Sequence, residues 1–169
     1  MNATDVLRYG QLTLLGTLEG LAPDARDLTG ACGRWSVKDI FAHLASYELV
    51  LLDVLGQAAG GRTETPHLER FVSPGPAYND DEIAARHAMG FDDVLAELAE
   101  AHGETLRLVA AIPAERLREP GTLPWYGADY AIDDLIVYQY YGHKREHGAQ
   151  VEAFRDHGAQ RLAWTADVC

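Results

Sequence analysis

Apolar residues recur at helical spacing along four stretches of the chain. In the first, Leu7, Leu14, Leu15, Leu18 and Leu21 share one face; Thr4 is positioned to cap it, and Pro23 ends it near Leu21. In the second, the stripe is Val37, Ile40, Phe41, Leu44, Leu51 and Leu55. Its start is the best marked in the chain. Ser36 and Asp39 make a capping box, with Trp35 and Ile40 as a hydrophobic staple. A parallel stripe through His43, Tyr47, Val50 and Val54 widens the apolar surface, so this helix, running to about Gly60, faces two neighbours. The third stretch opens at Asn79 and Glu82 and runs through Ile83, His87, Phe91, Val94, Leu98, Thr105 and Val109 to Ile112, where Pro113 stops it. The fourth begins near Ala131 and continues to about Asp156, with Ile132, Ile136, Tyr140, Val151 and Phe154 on its inward face. Four such segments predict an all-α helix bundle.

Between the helices the periodicity fades. Residues 28–34 read as a loop around Gly30 and Gly33, and residues 60–78 as a long loop in which Arg62, His67 and Arg70 are solvated or reach a ligand. Pro113–Asp129 connects the last two helices, and Trp125 and Tyr126 are expected to cover an open end of the core. The tail after Gly158 has weak periodicity, with Leu162 and Trp164 available for packing.

Histidines fall on these inward faces. His143 and His147 are four apart, which stacks both rings on one face about a turn apart, in the middle of the last stripe. A buried imidazole needs a partner, since an unpaired polar group in an apolar interior costs about 1–3 kcal/mol. One metal ion satisfies both rings; hydrogen bonds to other side chains are the alternative. His43 sits at the seam of the second helix's two stripes, His87 lies inward on the third, and His102 is nearer that stripe's edge. Glu48 lies among leucines, where a carboxylate must be paired or protonated. It is the candidate proton acceptor or a support for a metal ligand, with a hydrogen bond to a tyrosine or backbone amide as the plainer use. Asp39 and Tyr47, each one turn from His43, are placed to orient its ring, although capping and packing also account for them; Glu146 flanks the site helix peripherally.

Size and charge narrow the function. The 169 residues suffice for a single domain, 1–169, with a substantial core, and 47% hydrophobic residues fit a folded soluble protein. No apolar run is long enough to span a bilayer and no signal peptide opens the chain, so a cytoplasmic protein is expected. Cys32 and Cys169 have neither metal-site nor redox spacing. A formal net charge of −12 argues against binding nucleic acid or anionic membranes, but leaves room for a small anionic ligand held by one or two arginines.

The stretch Trp35-Ser36-Val37-Lys38-Asp39-Ile40-Phe41-Ala42-His43-Leu44 resembles a signature of the DinB/YfiT-like superfamily, and His143-Lys144-Arg145-Glu146-His147-Gly148-Ala149-Gln150-Val151 resembles its second, a His-x-x-x-His near the C-terminus. The two stand in the family's order, about a hundred residues apart. The resemblance implies an up-up-down-down four-helix bundle, often a homodimer, with a divalent metal held by His43, His143 and His147. Members of known chemistry include thiol-dependent S-transferases and a mycothiol-dependent maleylpyruvate isomerase; many others are named as damage-inducible or stress proteins. A metal is therefore implied more strongly than any one reaction.

Three neutral imidazoles leave coordination positions open, as in catalytic sites. They suit zinc, nickel, iron or copper, with zinc or nickel ahead of iron. The expected activity is transfer of a small thiol to an electrophilic small molecule; the alternatives are a metal-dependent hydrolase and a non-catalytic binding or stress-protection protein using the same pocket. A bundle with satisfied core histidines and no site is the remaining possibility.

Overall fold

The computed structural model describes residues 2–61, 63–73 and 77–166, with side chains through Gly158. It is mostly helical. The elements in order are α1 (Ala3–Gly16), a 3₁₀ turn (Pro23–Asp27), β1 (Thr29–Cys32), β2 (Trp35–Ser36), α2 (Val37–Ala58), α3 (Pro66–Val72), α4 (Tyr78–Ala85), α5 (Phe91–Ala111), α6 (Ala114–Leu117), α7 (Ile132–Leu135), a π-helical segment (Ile136–Gly142) and α8 (His143–Ala166). The last three form one continuous rod. The long helices close into a ring of neighbours: α2 packs mainly on α5, α5 on α1, α1 on the π segment and α8, and α8 on α2.

Helix α2 begins where its capping box predicts. The Ser36 hydroxyl accepts from Asp39 N at 3.1 Å, and the Asp39 carboxylate accepts from Ser36 N at 2.9 Å. At α1 the cap is Asn2 rather than Thr4; its side chain accepts from Thr4 N and Asp5 N. That helix ends at Gly16, short of Leu21, because Thr17 and Leu18 bond carbonyls only three residues back. At the start of α7, Asp134 reaches back to Ala131 N at 2.8 Å, so a residue with no capping side chain still begins a helix.

Several expected loops contain structure. Residues 29–36 form a small antiparallel hairpin, with Thr29 opposite Ser36 and Cys32 opposite Trp35. Gly33 turns it at φ +59°, in the region that glycine adopts without strain. Within residues 60–78 lies α3; Asp53, fully buried on α2, accepts from His67 N (2.7 Å) and Leu68 N (3.1 Å) and caps its first turn. Arg62 lies outside the described residues. The third predicted helix is two, α4 and α5, meeting at a corner; α4 starts at Tyr78, which places Asn79 inside it rather than at its cap. Trp125 packs on Phe71 and Tyr126 on Tyr130. Helix α8 continues past Asp156 to Ala166; the side chains of Leu162 and Trp164 lie outside the described residues.

Two apolar clusters fill the bundle. Leu14, Ile40, Phe41, Leu44, Phe91, Leu98 and Val151 belong to one; Leu7, Leu51, Leu55, Val109, Ile136 and Tyr140 belong to the other. Each long helix crosses from one cluster to the other, and at the crossing each buries polar side chains: Gln11, Glu48, His102 with Thr105, and Lys144 with His147. Among the described residues no helix is long and apolar enough to cross a membrane.

Candidate metal centre

His43, on the second turn of α2, and His143 and His147, on the first turns of α8, converge. His43 Nε2 lies 2.9 Å from His143 Nε2, which lies 3.0 Å from His147 Nε2. His43 is 2% and His147 6% exposed; His143 is half-buried and forms the open side. A hydrogen shared between two neutral rings satisfies one N···N contact, but the His143 nitrogen stands in two at once. One cation accepting all three lone pairs resolves this. The spacing is slightly below the about 3.3 Å that imidazole nitrogens keep on a tetrahedral zinc, so small ring movements suffice.

All three rings are held neutral, the form that ligates metal. Burial, then repulsion from His143 and His147, lowers the His43 pKa to about 3. Burial lowers that of His143 to about 4, with His147 adding to the effect, and burial also lowers that of His147. The orientation of His147 is set from outside: its Nδ1–H donates to Gln150 Oε1 at 2.8 Å, which leaves the Nε2 lone pair aimed inward. The Nδ1 atom of His43 is buried and finds no partner among the described residues; the Gln139 backbone interacts with the His143 ring and partly offsets the lowering of its pKa. Gln150 received no role from the sequence, although it stands one turn beyond His147.

Aromatic rings flank the imidazoles. Trp35 packs on His43 and His147, at ring centroid distances of 5.1 and 6.2 Å. Tyr47 packs on His43 and His143 at 4.6 and 4.7 Å. Beyond Tyr47 the rings continue through Phe71 and Tyr78 to Trp125. Tyr47 is half-buried, and burial raises its hydroxyl pKa.

Glu48 is fully buried with both oxygens occupied. Lys144 Nζ donates to Oε2 at 2.7 Å, and His102 Nδ1 contacts Oε1 at 3.0 Å. Burial alone raises the carboxyl pKa; the Lys144 ammonium and the His102 contacts outweigh it and hold the group at about 2. Glu48 is thus an ionised member of a buried network whose other members, Lys144 and His102, carry no motif that marks them. Helical arithmetic marks both. Lys144 continues the stripe Tyr140, His147, Val151, and His102 continues Leu98, Thr105, Val109.

The remaining candidates lie elsewhere. His87, expected to point inward, is exposed, because the corner between α4 and α5 breaks the helical phase that would have turned it in. His67 caps onto Asp53 through its backbone, and Arg70 pairs with Glu82. Asp39 is spent on its cap, and Glu146 is exposed. A cleft of about 480 Å³ lined by Thr4, Val109, Leu117 and Arg118 contains none of the candidate residues.

The family model described as the DinB superfamily matches residues 7–151, a span that includes all three histidines. No curated protein and no solved structure gives a significant match to the chain.

Proposed function

Given that the chain belongs to the DinB superfamily, we propose that it is a metal-dependent enzyme that transfers a small thiol to an electrophilic small molecule. The observation that carries this reading is the convergence of three neutral imidazoles, His43, His143 and His147, with the half-buried His143 on the accessible side. A divalent ion held there, zinc or nickel by donor chemistry, supplies Lewis acidity that makes a thiol available as its thiolate near neutral pH. The chain's own groups do the rest. Gln150 fixes the His147 tautomer, Trp35 and Tyr47 restrict water around the rings, and the Tyr47 ring offers an apolar wall beside His143. Because the Tyr47 hydroxyl keeps its proton at neutral pH, it can donate a hydrogen bond to a substrate oxygen.

The test is turnover. Purified protein loaded with one equivalent of Zn(II) or Ni(II) is expected to consume a small thiol in the presence of an electrophile. Chelation or His143→Ala should abolish that consumption. Fully loaded protein that turns over no thiol across a broad set of electrophiles would overturn the transferase reading.

A further inference from the structure

The Glu48–Lys144 pair joins the same two helices that bring His43 to His143. On α2, Glu48 follows His43 by five residues; on α8, Lys144 follows His143 directly. The bond between them is 2.7 Å, and the two side chains are 0% and 3% exposed. His102, from α5, holds the other carboxylate oxygen. The network lies between the two apolar clusters, not at the surface. Its contacts span 54 and 96 residues of sequence, so nothing local requires them.

Such a pair is a poor way to stabilise a bundle. Removing two charges from water costs several kcal/mol per ion, and apolar side chains of similar volume are often as stable or more so. What apolar residues cannot supply is register. Leucine against methionine tolerates sliding along the helix; a dry carboxylate against an ammonium permits one alignment, because displacement by a turn leaves both charges unpaired. The π-helical segment immediately before His143 makes alignment a real question here. A widened turn shifts every residue after it around the helix axis, and that shift must be held in place.

We propose that Glu48, Lys144 and His102 are positioning residues, which lock α8 against α2 so that the imidazoles of His43 and His143 meet before any metal arrives. This deepens the metal-centre reading and rests on it.

The test replaces the ion pair by apolar side chains in the full chain, Glu48→Leu with Lys144→Met. The doubly substituted protein is expected to fold cooperatively. Its Kd for Zn(II) should rise ten- to a hundredfold, the range seen when groups supporting metal ligands are removed, and its Co(II) absorption bands should shift. In the metal-free protein, the NOE between the Hε1 protons of His43 and His143 should weaken or vanish. Zn(II) affinity within twofold of the parent, with unchanged Co(II) bands, would overturn the proposal. So would an NOE of undiminished intensity, and this readout needs no metal. A parent protein that binds neither Zn(II) nor Co(II) would overturn the metal-centre reading instead. If the apolar pair fails to fold, Glu48→Asp keeps the charge and shortens the tether by one methylene; a several-fold loss of Zn(II) affinity supports the role, and parental affinity with parental Co(II) bands refutes it.

Discussion

Two networks of buried charge among the described residues differ in reach. One surrounds Arg86 at the corner between α4 and α5. Arg86 is 7% exposed; its Nη1 donates to Glu82 Oε2 at 2.7 Å, and its Nε and Nη2 grip Glu97 at 2.7 and 2.9 Å. Arg70 joins from α3, and every member lies within residues 70–97. The other network, Glu48 with Lys144 and His102, unites α2, α5 and α8 across the bundle. The first is local and partly wet, with Glu97 28% and Arg70 54% exposed at the side chain. The second is dry and long-range. A local network decides how the chain bends. A long-range one decides which turns of distant helices face each other, and in this protein those turns carry the candidate metal ligands.

The largest expected effect that separates them is on stability without a change at the site. Arg86→Met removes the cation that ties two carboxylates together. Glu82 keeps Arg70 and Glu97 keeps water, so the loss should fall somewhat below the 3–5 kcal/mol typical of a broken buried pair, at about 2–4 kcal/mol. Urea unfolding measures it. Zn(II) affinity of the folded variant should remain within twofold of the parent; a tenfold loss would show that the corner also supports the site, and the contrast would fail.

That contrast also explains what the sequence disclosed. The start of α2 was legible because Ser36 and Asp39 satisfy each other within one turn. The three histidines were legible because stripe position and family resemblance agreed. Helix α3 was hidden because its cap, Asp53, comes from another helix. His87 was misplaced because a continuous 100° progression carried through Gly90, where the chain turns the corner. An apolar stripe does not mark polar positions, yet Gln11 falls between Leu7 and Leu14 as Lys144 falls between Tyr140 and Val151. On all four long helices the inward stripe is interrupted by a polar residue at the same level, and only the assembled bundle brings Glu48, His102 and Lys144 from that level into contact. Gln11 Oε1 and Thr105 Oγ1 remain without a partner there among the described residues.

Acid distinguishes the imidazoles from the ion pair beside them. A histidine whose folded pKa is lowered binds its proton more readily when unfolded. Its contribution is complete above the ordinary value near 6.5, and is lost as pH falls toward about 3 for His43 and about 4 for His143. Glu48, held at about 2 against an ordinary 4.5, contributes fully above 4.5 and fades only below it. Stability lost by the metal-free protein between pH 7 and pH 5 therefore belongs to the imidazoles. It should amount to about 1–2 kcal/mol for each of the two rings. Urea midpoints across that interval measure the loss, and His43→Leu with His143→Leu should remove most of it, leaving the part that belongs to His147. An equal fall in the doubly substituted protein would assign the acid sensitivity to other groups.

The smallest effect concerns a support that is neither charged nor distant. Gln150 stands on α8 itself, three residues from His147, and its single bond of 2.8 Å sets which ring nitrogen carries the hydrogen. Without it, the Nε2–H tautomer is no longer disfavoured, and that form must shift before Nε2 can ligate. The helix and the packing of Trp35 on the His147 ring still hold the imidazole in place. Gln150→Leu should therefore weaken Zn(II) binding by about tenfold, at the low end for such supports, and leave the urea midpoint nearly unchanged. The ring nitrogens of His147 report the cause directly: ¹⁵N chemical shifts in the metal-free protein should show hydrogen on Nδ1 in the parent and a mixture of tautomers in the variant. Parental affinity together with an unchanged tautomer would mean that packing alone orients His147, and would shift the weight of polar support onto the Glu48–Lys144–His102 network.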